Sequence, residues 1–439
     1  MLRLWSSLAF ICVTSVVYGS PSSSADSAAG SADEVIQWNK ALLTIVRTPG
    51  AQPATMHPTR SFAIMHAAIY DAVNAIDATH KPYRVRIEHV LSHASQEAAV
   101  AAAAHETLIS LYPQFQMTLD LQFDQSLARI PDGVDKTAGI DVGRAVALAT
   151  LALRKDDGSD ATPIPFVFGN APGDYQSTPP NFPPQPVFTH WSRVTPFALE
   201  RAKQFRPGPP PALASAEYTV DFNEVKSLGI ANSTAATPDQ VLIGQFWGGA
   251  IQNYWNEITQ TAVQAHHLTT ARSARVFALL NITLADEVIA FYDAKYVYDF
   301  WRPVTAIRAA ATDLNTQTAP DPNWLPQAGK TAADPSYPGA HATISGGGAF
   351  VLSSFFGRKP FHLNVTSEVL PGVIRSFDSF AAIEQEASLS RIYAGQHFRS
   401  DENAGEKLGH AVADFVVDNF LTRIPRRDAD DADSDTDDY

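Results

Sequence analysis

Three short stretches within residues 295–401 hold most of the groups able to handle a charged oxygen compound. They are KYVYDFWRP at 295–303, YPGAHA at 337–342 and SRIYAGQHFRSD at 390–401. Together they supply Lys295, Arg302, Arg391, His341, His397 and Asp401. Lysine and arginine donate to an oxyanion, arginine as a planar fork that matches two oxygens at once. An imidazole can bond to a central atom, carry a proton or attack. The set is that of a pocket for a tetrahedral oxyanion.

Lys295 and Arg302 are seven positions apart. On a helix that is about two turns, which would project both from one face. Pro303 has no N–H, so the helical ladder would open there. A surface helix would leave this Lys and Arg solvated. Tyr296, Tyr298, Phe300 and Trp301 argue against that, and two cations in an aromatic segment need an anion. YPGAHA reads as a turn leading into a helix. Gly339 permits close approach of a ligand, and free N–H groups at a helix start suit an anion. His341 stands beside them, either as general acid or base or as a plain cap or core residue. His397 and Asp401 are four apart, one face of a helix. The carboxylate can then hold one imidazole nitrogen and raise the basicity of the other.

These stretches resemble the vanadium-dependent haloperoxidase and type 2 phosphatidic acid phosphatase superfamily. That family is marked by a Lys separated by six residues from an Arg-Pro pair, a Pro-Ser-Gly-His stretch, and a Ser-Arg followed by a His and then an Asp four residues on. The three stretches occur in family order and cover about a quarter of the chain. The resemblance implies an all-α fold, a helical bundle of the vanadium haloperoxidase or acid phosphatase type with a long Pro-rich loop. It implies vanadate as cofactor. Lys295, Arg302 and Arg391 would bind its equatorial oxygens, and backbone amides near Gly339 and Ala340 would add to the cradle. His397, backed by Asp401, would be the axial metal ligand, and His341 would assist proton transfer on the opposite side. Hydrogen peroxide and a halide, bromide or iodide rather than chloride, would be the substrates. The same residues would serve an acid phosphatase acting on phosphate monoesters through a phosphohistidine at His397. A third reading is an oxyanion-binding homologue without peroxidase turnover. A soluble secreted chain and the run FWRPVTAIR favour the peroxidase side. The chain departs from the family at one point, where Pro-Ser-Gly-His is Pro338-Gly339-Ala340-His341. One hydroxyl donor is missing, a loss of about 0.5–1.5 kcal/mol. From the motif alone, Gly339→Ser is expected to raise oxyanion affinity.

The elements that must position these residues are helical. The chain has 439 residues, 45% of them hydrophobic, enough for a large core. Its formal charge of -14 excludes the basic face that a nucleic-acid partner requires. Seven of the aspartates lie in residues 428–439, an acidic tail counted from 426. Residues 1–20, with Arg3 ahead of an apolar run, read as a secretory signal peptide, too short to serve as a lasting membrane span. Its removal would leave a secreted chain with no cysteine, since Cys12 is the only one. A Cys nucleophile and Cys-ligated metal sites are thereby excluded. Asn232, Asn281 and Asn364 carry glycosylation triplets that matter only on a eukaryotic secretory route.

Residues 21–33 read as a flexible lead-in and 34–425 as a single large helical domain, with an active-site half at 270–420. Apolar residues recur at helical spacing from Val35 to Ile45 and from Phe62 to Ile76. Helices are also predicted over 96–111, 117–127, 136–153, 214–227, from Pro238 onward, and from Arg272 to Lys295. His57, Arg60, His66 and Asp71 lie on or before the second stripe and read mainly as structural. The pair His266 and His267 reads as surface, because helix neighbours point apart. Thirteen of the thirty prolines fall between Gly158 and Pro211. That stretch cannot be regular helix, and it either walls the pocket or merely connects two halves. Gly346, Gly347 and Gly348 in a helix predict a very close neighbour. Further helices are predicted over 367–390 and 402–420, and no strand.

Overall fold

A computed structural model describes residues 33–357 and 361–425, so the signal peptide expected at 1–20, most of the expected lead-in at 21–33 and the acidic tail lie outside the described residues. The apolar stripes become helices. The first five are α1 (Asp33–Arg47), α2 (Thr59–Asp77), α3 (Gln96–Leu111), α4 (Gln116–Ala128) and α5 (Val134–Arg154). After a long irregular segment come α6 (Ala216–Leu228), α7 (Pro238–Phe246), α8 (Ile251–Ala265) and α9 (Thr270–Tyr298). Then follow α10 (Pro303–Arg308), α11 (Ala340–Phe356), α12 (Phe380–Tyr393) and α13 (Arg399–Asn419). Helix starts follow local chemistry. Ser95, Ser215, Thr269 and Ser379 each accept an N–H of the first turn, and Thr237 and Gln240 form a reciprocal capping box ahead of Pro238.

Helix α9 joins two bundles. It packs on α2 of the first half and on α11 and α13 of the second. Residues 276–292 are buried without interruption, as expected of a helix walled in on every side. Helices α11 and α13 cross closely because glycine removes side-chain bulk. A Cβ added at Gly409 would stand 2.1 Å from the Thr343 carbonyl oxygen. The close neighbours expected at the glycine run are real. A Cβ at Gly347 would meet Glu287 Oε1 at 1.6 Å, and one at Gly348 the Trp255 ring at 2.4 Å.

The proline-rich segment holds one 3-10 turn, Trp191–Arg193, among its described residues. It is stapled to α9. The buried Asp286 carboxylate accepts the N–H groups of Phe197, Ala198 and Leu199 at 2.6, 2.7 and 2.7 Å. Tyr298 and Tyr337 donate their hydroxyls to Pro207 and Gly208 carbonyls at 2.5 and 2.7 Å. These side-chain bonds satisfy backbone groups that no regular structure pairs.

Two expectations change. The helix predicted over 367–390 starts only at Phe380. Ahead of it β1 (Leu363–Thr366) pairs antiparallel with β2 (Ile374–Phe377), Leu363 opposite Phe377 and Thr366 opposite Ile374. Val365 and Thr366 favour the pleated state, and Gly372 at φ 85 lets the chain reverse after Pro371. Likewise, Lys295 and Arg302 do not share a helix. Asp299 takes a left-handed conformation at φ 49 and ends α9, and Arg302, restricted by Pro303, is extended ahead of α10.

Candidate active site

Lys295 rides the last turn of α9 and is fully buried. Its ammonium donates to the Pro335 and Ser336 carbonyls at 2.5 and 3.2 Å and lies 3.6 Å from Asp334 Oδ2. Arg302 meets the same loop. Its Nε donates to the Asp334 carbonyl at 2.8 Å and its Nη2 to Asp334 Oδ1. The loop at 334–336, not a common helix face, brings the two cations together. Arg302 Nη1 donates to the Gln396 carbonyl at 3.0 Å and to His397 Nε2 at 2.9 Å.

His397 stands just ahead of α13, and Asp401 is in that helix's first turn. Asp401 Oδ2 accepts from Phe398 N–H at 3.0 Å, from Ser336 Oγ at 2.5 Å and from His397 Nδ1 at 3.1 Å. The carboxylate therefore fixes the hydrogen on Nδ1 and leaves the Nε2 lone pair free to face Arg302. Burial first, then Arg302, Lys295 and Arg391, holds the His397 pKa well below the usual imidazole range. Burial and Arg391 do the same to His341. His341 Nε2 donates to the Trp247 carbonyl at 3.0 Å, which leaves its Nδ1 as the acceptor. Both rings are neutral bases.

Arg391, in the last turn of α12, is the exception among the cations. Its Nε and Nη1 are buried with no hydrogen-bond partner. Arg302, Asp334, His341, Arg391 and His397 line one cavity of about 330 Å3, with Ala340 at its edge and His57, Phe188 and Tyr292 as an aromatic wall. An adjoining space of about 700 Å3 shares His341, Arg391 and Gln396 and adds Lys330 and Val369. Lys295 lies behind the 334–336 loop. Gly339 also lies behind the wall, and its N–H is taken by the Asp401 carbonyl at 2.8 Å.

The room that Gly339 leaves is filled. A Cβ there would stand 2.3 Å from Glu402 Oε1. Glu402 is 2% exposed, its Oε1 has no partner, and burial with Asp401 beside it raises its pKa well above the usual range.

Residues 275–425 match the family model of the VCPO second helical-bundle domain. The vanadium chloroperoxidase of Curvularia inaequalis is 24% identical over 493 residues, 85% of this chain and 80% of that one. A solved bacterial vanadium-dependent iodoperoxidase superposes with TM-score 0.77 at 24% identity, covering 90% of this chain and 98% of the other. The holo form of a bacterial vanadium-dependent chloroperoxidase gives 0.65 at 15%, covering 85% and 94%. The chain is similar to vanadium haloperoxidases in sequence and in fold.

The polar groups of this haloperoxidase-like site suit vanadate. Two buried guanidinium donors of Arg391 lack acceptors, and His397, whose Nε2 accepts only from Arg302 Nη1, lines the same cavity. Orphaned buried donors are rare without a guest. Sequence reasoning missed Asp334, Ser336 and Glu402. Each is a common polar residue whose neighbours in sequence predict nothing, and only the fold turns them inward. His57 was read as structural, yet it lines the cavity. Arg60, His66 and Asp71 point elsewhere. Arg60 pairs with Asp157 at 2.8 Å, His66 stacks on Phe277 at 4.9 Å, and Asp71 accepts the N–H groups of Tyr83, Arg84 and Val85. His266 stacks against Phe356 at 4.7 Å, and no group of metal-binding side chains forms among the described residues.

Proposed function

We propose that this chain is a secreted vanadium-dependent haloperoxidase that uses hydrogen peroxide to oxidise bromide or iodide. The observation that carries the reading is the convergence of Arg302, Arg391, His341 and His397 on one cavity, with the Arg391 donors unpaired. Arg391 and Arg302 would hold vanadate by its oxygens, Lys295 would add positive charge from behind the loop, and His397 Nε2 would be its ligand. Bound vanadate supplies a Lewis-acid centre that activates peroxide. The chain's part is to position and to move protons. Asp401 keeps the His397 ring in the tautomer that presents Nε2. His341 Nδ1, left as the acceptor, would take a proton from a reactant in the cavity and return it. The guanidinium groups stabilise negative charge as it develops, in a site sheltered from water.

The test is an assay of the purified protein with and without added orthovanadate. Halogenation of an organic acceptor that requires vanadate, peroxide and halide supports the reading. Phosphate-ester hydrolysis that vanadate inhibits would instead assign His397 as a phosphoryl acceptor. N-terminal sequencing of the exported protein tests secretion, with a start after residue 20 expected.

A further inference from the structure

Lys295 and Arg302 already have a partner within the chain, and it is the same acid. Asp334 is 5% exposed, faces the cavity, and bonds Arg302 Nη2 through Oδ1 while Oδ2 lies 3.6 Å from Lys295 Nζ. Arg302 spends its Nε on the Asp334 carbonyl and its Nη1 on Gln396 and His397. Only one of its five N–H groups is then left for a ligand. Of the three cations, Arg391 alone has donor nitrogens with no partner at all. An oxyanion entering this pocket meets a fixed carboxylate competing for the same guanidinium, in a buried site where like charges repel strongly.

We infer that Asp334 is an internal counter-ion of the cradle, holding Lys295 and Arg302 until an oxyanion displaces its carboxylate, and so setting how tightly the oxyanion binds. The inference rests on the oxyanion site proposed above. It gives two of the three buried cations, Lys295 and Arg302, a charge partner within the chain, and an unpaired buried charge is strongly destabilising. It also makes affinity adjustable by one residue that would itself touch neither the vanadium ligand nor the proton-carrying imidazole.

Isothermal titration of the full chain with inorganic phosphate, and separately with orthovanadate, tests this directly. Asp334→Asn is expected to bind both at least tenfold more tightly than the wild type. Asp293→Asn, which removes an acid paired with Arg206 and absent from the cavity lining, is expected to bind as the wild type does. Unchanged or weaker binding by Asp334→Asn overturns the inference while leaving the oxyanion site standing. If neither protein binds phosphate or vanadate, the oxyanion site fails and the inference with it. Should Asp334→Asn fail to fold, a crystal structure of the wild type with orthovanadate decides. The Asp334 carboxylate is expected to have left Arg302 Nη2, and an anion bound while Asp334 still holds both cations overturns the inference.

Discussion

Gly339→Ser restores the residue that the motif lacks, and the structure reverses what the motif alone predicts for it. The new Cβ would stand 2.3 Å from Glu402 Oε1 and 2.8 Å from its Cδ. Ordinary contact begins roughly 1 Å further out. Glu402 has little room to move, because Ser388 Oγ lies 3.5 Å from one oxygen and His397 Nδ1 lies 3.7 Å from the other. Forcing a side chain into a filled site costs about 1–3 kcal/mol. Gly339→Ser is therefore expected to lose about that much stability in urea unfolding. Vanadate binding, followed by calorimetry, is expected to weaken about tenfold as the displaced carboxyl moves toward Arg391. Removing the obstacle isolates the cause. In a Glu402→Ala background the serine is expected to cost little, giving a coupling of about 1–3 kcal/mol between the two sites. Additive effects in that cycle, or tighter vanadate binding by Gly339→Ser alone, would falsify the reasoning.

His397→Ala is expected to abolish measurable vanadate binding while leaving the unfolding midpoint within a few degrees. Retained binding would show that another group carries the ligand role. Asp286→Ala leaves the N–H groups of Phe197, Ala198 and Leu199 without their acceptor, and a loss of about 2–4 kcal/mol is expected in chemical unfolding. Glu287 is fully buried with neither oxygen bonded, and burial raises its pKa well above the usual 4.5. The native state then keeps a proton that the unfolded chain has released, so stability falls as pH rises above about 4.5, by up to about 1.4 kcal/mol per pH unit. Glu287→Gln is expected to flatten that slope between pH 5 and 7. A slope identical to the wild type's contradicts the assignment.

The helices were legible because burial is one-sided in most of them, and the caps at Ser95 and Thr237 stand in the sequence. The glycine run announced a close neighbour but not its identity, since Trp255 and Glu287 are far away in sequence. The cradle was legible as a residue set and not as a geometry. A seven-residue spacing suggested a helical face, but Asp299 ends one helix between the two cations and Pro303 begins the next just after Arg302. The short sheet was hidden because four-residue strands carry too little alternation to stand out. Asp334 and Glu402 were invisible for a different reason. Their importance lies in what they touch, and those contacts span 32 and 63 positions, from Arg302 to Asp334 and from Gly339 to Glu402.

The Asp286 staple has a consequence for how the protein can vary. Because the irregular segment is moored to α9 at 197–199, the stretch ahead of it, which contributes Phe188 to the cavity, hangs from a fixed point. The same stretch is tied to the centre itself, because Val187 donates its N–H to the Ala333 carbonyl and accepts from the Tyr296 hydroxyl, so exchanges there recontour the cavity rim and reach the 334–336 loop as well. The least regular part of the chain thus shapes both the outline of the cavity and the loop that carries Asp334.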